Sequence, residues 1–328
     1  MNYKESNQIL EEIKKAKRIL LKVHRSPDPD SIGSCLAMNY FLQKIGKDSV
    51  IIASDPIHKK LLFLKNVNKI KKVDMAKFDY SKYDLFIVLD SSTFDQATGI
   101  KGAGLPKINL AVIDHHETNN RYGKINLVDY LGSTCEVLYY FFKDIKFKMD
   151  SNIATCLLTG IMSDTGSFQF DYTTVESLNI AAELIKKGAD RQKIVRALFH
   201  SYGYKLVKLW GEMLGKMRFD HKNRFVWVSV PYNIYTKYGS PEEAKSMAAT
   251  LFFGSIEGAD FGMVMVEQKK RILNISFRSR KGIDVSELAK KLGGSGHHEA
   301  AGAWFKFDNF DEAVEKVLRV ARKFAKKK

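Results

Sequence analysis

Three short apolar runs each end in a residue able to hold a metal ion or a proton. RILLKVH closes on His24, DLFIVLD on Asp90 and INLAVID on Asp114. Runs of this length with little polar interruption read as strands buried on both faces, the pattern of a parallel sheet. Helical patterns lie between them: residues 6–17 are amphipathic, and 31–45 is helix-like before a further strand, SVIIAS. Strands that alternate with helices predict crossover connections and an α/β fold. In such sheets ligands bind beyond the carboxyl ends of the strands. His24, Asp90 and Asp114 are therefore expected along one edge.

Further helices are expected at TCEVLYYFFKDI, at 151–162 and at 174–187, where KKGAD breaks the pattern. Residues 191–217 read as one long amphipathic helix. From Arg224 the composition changes, and FVWVSV, FGMVMVEQ and RILNISFRS read as strands. Lys269 and Lys270 separate the last two, which predicts an antiparallel hairpin. A helix at 285–292, a glycine cluster and a helix from Asp311 complete a second α/β region. At 328 residues two domains are the default. The expected division is a parallel-sheet domain at 1–190 with flanking helices, a linker helix at 191–218 and a smaller α/β domain at 219–328. The ending KFAKKK reads as a frayed, solvated tail.

The net charge is +16. Such an excess concentrates polyanions around a protein, although solvated lysines alone would produce it too. Cys35, Cys135 and Cys156 form no C-x-x-C pair and read as buried free thiols of a reducing compartment. The opening MNYKESNQILEEIKKAKRIL carries acids and no uninterrupted apolar core, so it does not read as a signal peptide. No run approaches the roughly 18 apolar residues of a membrane span. A cytoplasmic protein without membrane contact is expected.

Four segments carry the chemistry. In HRSPDPDSIGS, a strand end delivers His24, and two prolines stiffen the loop that presents Asp28 and Asp30. Asp30, before a helix start, could simply cap free backbone N–H groups. IVLDSS offers Asp90, VIDHHETN offers Asp114, His115 and His116, and GIMSDTGSF offers Asp164. Singly, each acid could be a turn or helix-end residue. Together, His24, Asp28, Asp30, Asp90, His115 and Asp164 are enough for two divalent ions with one bridging carboxylate. Imidazole mixed with carboxylate suits manganese, zinc or iron. Two such ions roughly 3.5–4 Å apart can activate water and clamp an in-line displacement at phosphorus. Further on, SFRSR places Arg278 and Arg280 on alternate strand positions, hence on one face. Guanidinium groups there suit phosphate. GGSGHHEAAG combines a flexible glycine loop, whose backbone N–H groups could cradle an anion, with His297.

With these motifs in this order, the chain resembles the DHH/DHHA1 phosphoesterases, a family named for the triplet found here as Asp114-His115-His116. The resemblance covers essentially the whole chain and is nearest to the short nano-RNase/pAp phosphatase-like group. It implies a parallel-sheet DHH domain, a linker helix and a smaller DHHA1 domain, with the active site in the cleft between the two domains. It implies two divalent ions, usually manganese: one on His24, Asp28 and Asp90, the other on Asp30, Asp90, His115 and Asp164. Asp114 is expected to orient a ligand histidine, and His116 to meet the phosphate or the leaving oxygen. Arg278 and His297 are expected to hold the substrate's terminal nucleotide, with Arg280, Gly294 and Gly296 beside them. Ser295 stands where the family commonly has glycine.

The implied activity is hydrolysis of short RNA or DNA oligonucleotides to nucleoside monophosphates, together with 3′-phosphatase action on pAp. Homodimers are common in the family. Its rivals are a cyclic-di-AMP or pApA phosphodiesterase and a RecJ-like single-strand exonuclease. The chain lacks the membrane helices of the first and any extra OB-like domain of the second. A non-catalytic nucleic-acid binder would explain the charge but not the clustered carboxylates.

Overall fold

The computed structural model describes residues 1–326. Lys327 and Lys328, the end of the expected basic tail, lie outside the described residues. Two compact units divide between Ser201 and Tyr202.

The first unit contains α1 (Lys4–Lys15), β1 (Arg18–Val23), α2 (Pro29–Lys44), β2 (Asp48–Ala53), β3 (Lys71–Lys72), β4 (Leu85–Leu89), α3 (Phe94–Thr98), β5 (Asn109–Asp114) and β6 (Ile125–Val128). It ends with α4 (Thr134–Asp144), α5 (Ser151–Asp164), α6 (Val175–Lys186) and α7 (Arg191–Leu198). Its sheet is parallel throughout, in the order β3-β2-β1-β4-β5-β6. The direction of winding reverses between β1 and β4, and ligands bind at the carboxyl ends beside such a switch point. Both faces of the strands are apolar, as the unbroken runs predicted. Ile19, Leu21, Ile87 and Leu89 enter the larger core with α2, α4 and α5, while Leu20, Phe86 and Val88 pack under α3. Helices α2 and α5 cross closely because two positions lack side chains. A Cβ on Gly160 would collide with Asp30 Oδ1 and Cys135 Sγ, and one on Gly33 would stand 2.5 Å from the Cys156 carbonyl oxygen. That crossing sets Asp30, in the first turn of α2, against the start of α4.

The second unit contains α8 (Tyr204–Gly215), β7 (Arg218–Asp220), β8 (Phe225–Val230), α9 (Tyr232–Lys237) and α10 (Ala244–Ala248), which continues into a π-helical turn at Ala249–Phe253. Then come β9 (Phe261–Lys269), β10 (Ile272–Ser279), α11 (Val285–Lys290), β11 (Ser295–Gly296), β12 (Ala300–Lys306) and α12 (Phe310–Ala325). The sheet order is β11-β12-β10-β9-β8-β7, with only β8 and β9 parallel. Alternation along β9 sends Phe261, Met263 and Met265 toward α11 and α12, and Val264 and Val266 toward α8 and α10.

Three expectations need correction. The single helix expected over 191–217 is two, α7 and α8, parted at Phe199–Gly203. Ile194 of α7 joins the first core, while Leu206, Leu209, Trp210 and Met213 of α8 join the second. The 3.6-residue period continued across the gap because each piece is amphipathic on its own. The tail KFAKKK is not frayed at its start, since α12 runs through Ala325 and Phe324 is buried. Arg280 lies beyond the end of β10 and is exposed. Its backbone N–H donates to the Asp260 carbonyl, so the chain still runs beside the residue before β9 there although Arg280 itself lies outside the strand.

Candidate metal centre

The site grows from strand ends. His24 follows β1, Asp90 follows β4, and Asp114 is the last residue of β5, with His115 and His116 next. Asp164 is the last residue of α5. Asp28 is the N-cap of α2 and accepts from the Ser31 N–H at 2.9 Å. The capping role considered for Asp30 therefore belongs to Asp28. Asp30 serves a different helix: its two oxygens accept the first N–H groups of α4, from Thr134 at 2.7 Å and Cys135 at 3.1 Å. Ser133 caps that helix on Glu136. A capped helix start with free N–H groups attracts an anion.

Asp90 stands at the centre. It takes φ 59°, a left-handed conformation that costs a non-glycine residue on the order of 1–3 kcal/mol. Its Oδ1 accepts from Thr134 Oγ1 at 3.1 Å and lies 3.7 Å from His115 Nε2. Its Oδ2 is buried without a hydrogen bond, 3.2 Å from His24 Nε2. Ligand atoms of three groups converge within 4.8 Å: His24, Asp28 and Asp90; Asp30, His115 and Asp164; and Asp90, His115 and His116. All six residues named for the two ions are thus brought together.

The histidine orientations test whether cations fit. A carbonyl oxygen can only accept, so His24 Nδ1, 2.7 Å from the Arg25 carbonyl, carries a hydrogen. Its Nε2 then points between Asp28 Oδ2 at 3.3 Å and Asp90 Oδ2 at 3.2 Å. His115 repeats the pattern, with Nδ1 3.1 Å from the Leu131 carbonyl and Nε2 3.6 Å from Asp164 Oδ2. A neutral imidazole held this way aims a lone pair at carboxylate oxygens, which is repulsive unless a cation intervenes. Without metal a proton takes that place at His24. Burial opposes it, but the neighbouring carboxylates of Asp28 and Asp90 raise the imidazole to about 11. Burial, then the neighbouring aspartates, push the Asp30 and Asp164 carboxyls well above the usual range. Three imidazoles and four clustered carboxylates with an unpartnered buried oxygen are a donor set suited to divalent ions.

The adjacent histidines divide their work differently from the expectation in one respect. Asp114, fully buried, accepts from His116 Nδ1 at 2.8 Å. It orients His116, not His115, whose Nδ1 goes to Leu131. Burial lowers the affinity of His116 for a proton, but Asp114 outweighs it and raises the imidazole to about 8. Asn119 completes the arrangement, donating to Asp114 Oδ2 at 2.6 Å and to the Ser91 carbonyl at 3.1 Å. Sequence reasoning did not select Asn119, Thr134 or Ser31, whose Oγ accepts from the His24 N–H. The hydroxyl-rich start of α4, GSTCE, was the available signal for Thr134.

In the second unit, Arg278 is half-buried, and its Nε donates to Thr250 Oγ1 at 2.9 Å. The glycine segment is a tight hairpin, not a flexible loop. The His297 N–H donates to the Ala300 carbonyl, and β11 pairs with β12 through Ser295–Gly302 and Gly296–Ala301. A Cβ on Gly294 or Gly296 would strike the backbone of β12. His297 itself is exposed.

A family model described as the DHH family, N-terminal domain, matches residues 18–161, and one described as the DHHA1 domain matches residues 229–323. The bifunctional oligoribonuclease and PAP phosphatase of Thermus thermophilus is 31% identical over 98% of this chain and 94% of its own length. The protein of the same description from Bacillus subtilis is 30% identical, over 90% of this chain and 91% of its own. A crystal structure of an exopolyphosphatase-related protein from Bacteroides fragilis superimposes with a TM-score of 0.87 at 22% identity, covering 98% of this chain and 96% of that one. That likeness establishes a shared fold.

Proposed function

The chain belongs to the DHH family of phosphoesterases with a DHHA1 domain, and from that premise we propose that it is a metal-dependent phosphodiesterase that hydrolyses short oligonucleotides to nucleoside monophosphates and removes the 3′-phosphate of pAp. The observation that carries the reading is the buried, unpartnered Asp90 Oδ2 between two converging groups of imidazole and carboxylate. His24, Asp28 and Asp90 would hold one divalent ion, and Asp30, Asp90, His115 and Asp164 the other, with manganese the expected metal. Such a pair of ions supplies charge that polarises the scissile phosphate and eases deprotonation of water.

The protein's own part is orientation. The carbonyls of Arg25 and Leu131 fix the tautomers of His24 and His115, so both offer Nε2. The N-terminus of α4 holds Asp30 in place. Asp114 keeps a hydrogen on His116 Nδ1, leaving Nε2 to contact a phosphate oxygen or to hand a proton to the leaving oxygen. In the second unit, Arg278 offers a guanidinium to a terminal phosphate. No helix among the described residues is long and apolar enough to cross a membrane.

The test is incubation of purified protein, with and without manganese, with a labelled RNA dinucleotide and with pAp. Manganese-dependent release of mononucleotide is expected, and none from either substrate would overturn the proposal. Relative kcat/KM on dimers, 24-mers, pAp and cyclic-di-AMP separates this activity from exonuclease and cyclic-dinucleotide chemistry, with dimers and pAp expected to lead.

A further inference from the structure

Trp304 of the second unit leaves 61% of its surface exposed, although it stands in a strand. Along β12, Ala301 and Ala303 enter the core with α11 and α12. Gly302, Trp304 and Lys306 therefore face the other side of the sheet. On β10, Leu273, Ile275 and Phe277 enter the same core, which leaves Ile272 and Asn274 on the face of Trp304. The register sets Asn274 against Trp304 and Ile272 against Lys306. β11 pairs with β12 only at Ala301 and Gly302, so the indole stands at an open rim of the sheet. A cavity of about 630 Å³ opens beside it. Trp304, Ile272 and Asn274 line it together with Gln268 of β9, Tyr235 of α9 and Ser240 after that helix.

The polar groups of this cavity are held in place but not occupied. Gln268 Nε2 donates to Tyr235 Oη and to the Glu242 carbonyl, each at 3.3 Å, which fixes the amide and leaves its Oε1 to accept. Neither the Asn274 amide nor the Trp304 indole N–H has a hydrogen-bond partner among the described residues. An amide sets donors beside an acceptor, the pattern that matches the edge of a nucleobase. An exposed aromatic face next to such amides suits a planar heterocycle. Cations flank the cavity. Lys269 lines it, Lys306 shares the face of Trp304, and Lys270 follows in the hairpin turn. None of the three forms an ion pair with a carboxylate among the described residues. The acid of the lining is Glu242. Glu267 is occupied by the N–H groups of Tyr232 at 3.0 Å and Arg271 at 2.8 Å. The excess of lysine favours an anionic ligand, whereas an uncharged sugar, which also stacks on indole, would leave it unused.

We infer that Trp304, Asn274 and Gln268 form a base-stacking site for one nucleotide of a single-stranded oligonucleotide, with Lys269 and Lys306 beside its phosphates. Trp304 supplies the stacking face, the two amides meet the base edge, and the lysines meet the backbone. The place is separate from Arg278. Asn274 and Arg278 lie on the same strand face four residues apart, about 13 Å at the rise of a strand. A longer oligonucleotide engages both places where a dinucleotide engages one. That the bound strand is a substrate rests on the proposed function; the stacking site itself rests on the cavity, the exposed indole and the free amides.

The test uses full-length, metal-loaded protein as wild type, Trp304→Ala and Trp304→Phe. Fluorescence anisotropy reads binding of a labelled pentaadenylate with phosphorothioate linkages, which slow hydrolysis, and turnover assays read KM for an adenylate pentamer and a dinucleotide. Trp304 lies outside the core, so its replacement leaves the unit folded. The alanine variant should weaken pentamer binding and raise pentamer KM by about tenfold, the effect of removing one base–aromatic stack. Dinucleotide KM should stay within about twofold, as for an exposed residue that the ligand does not reach. The phenylalanine variant, which keeps an aromatic face, should recover most of the pentamer affinity. Unchanged pentamer affinity in Trp304→Ala would overturn the site, and so would a phenylalanine variant as weak as the alanine one. An abasic pentamer that loses as much as pentaadenylate would overturn the stacking, because no base would then be involved. If wild type hydrolyses neither oligonucleotide but Trp304→Ala still loses pentaadenylate, the functional reading fails and the stacking site stands.

Discussion

The two units carry opposite charge defects. In the first, Asp28, Asp30, Asp90 and Asp164 crowd together with only imidazoles to offset them, and one carboxylate oxygen is left buried and bare. In the second, Arg278 is held by Thr250 and the Phe277 carbonyl and forms no ion pair with a carboxylate among the described residues. Each arrangement is uncomfortable by itself, and on the proposed reading each would be relieved by a different partner: divalent cations in one, a phosphate in the other. The difference teaches where a functional reading should look. Some surface charges in this chain are paired locally, as Arg224 is with Asp260 and Arg322 with Asp220.

Substitutions can break this contrast, starting with the largest effect. Asp90→Ala removes the carboxylate shared by two of the converging groups. Hydrolysis should fall by at least about a thousandfold, since charge stabilisation at a metal centre is worth several kcal/mol. Salt-sensitive RNA binding through the cationic second unit should survive, and a gel-shift assay beside a turnover assay reads both. Full activity in this variant would remove Asp90 from the centre. Asp114→Asn leaves the volume unchanged but takes away the charge that orients His116. A loss of roughly 10–100-fold in kcat is expected, as for other groups that position a site residue. Stopped-time assays with saturating dinucleotide would detect it, and an unchanged kcat would mean that His116 needs no such support.

Smaller effects belong to the second unit. Arg278→Ala should raise KM by about tenfold or more with little change in kcat, because a charge-assisted hydrogen bond to substrate is lost. A fall in kcat alone would contradict a binding role. Arg280→Ala should change either constant by no more than about twofold, the range of an exposed residue without a structural duty. A KM shift as large as that of Arg278→Ala would return Arg280 to the phosphate site despite its place beyond β10.

Much of the first site could be read from the chain. The runs ending at His24, Asp90 and Asp114 are strands in the structure, because apolar periodicity is a local property and survives whatever packs around it. The order of the motifs also placed their chemistry at one sheet edge, since parallel strands share a direction. The second unit was less legible. Arg278 and Arg280 alternate in sequence, but β10 stops between them, and a strand's end depends on its neighbours' pairing. The segment 191–217 kept a helical period across a break, because amphipathicity alone does not show which of two cores a helix joins.

Sequence by itself determined the residue types, their order and the ends of the strands that carry them. These follow from side-chain alternation and chain direction over a few residues. Tertiary structure decided the partners. His115 donates to Leu131 and His116 to Asp114, although the two histidines are neighbours. Asp30 accepts from α4 across more than a hundred residues. Hydrogen bonds need atoms within about 3 Å in a set direction, and for groups so far apart in the chain only close packing, such as the Gly160 crossing of α2 and α5, can arrange that.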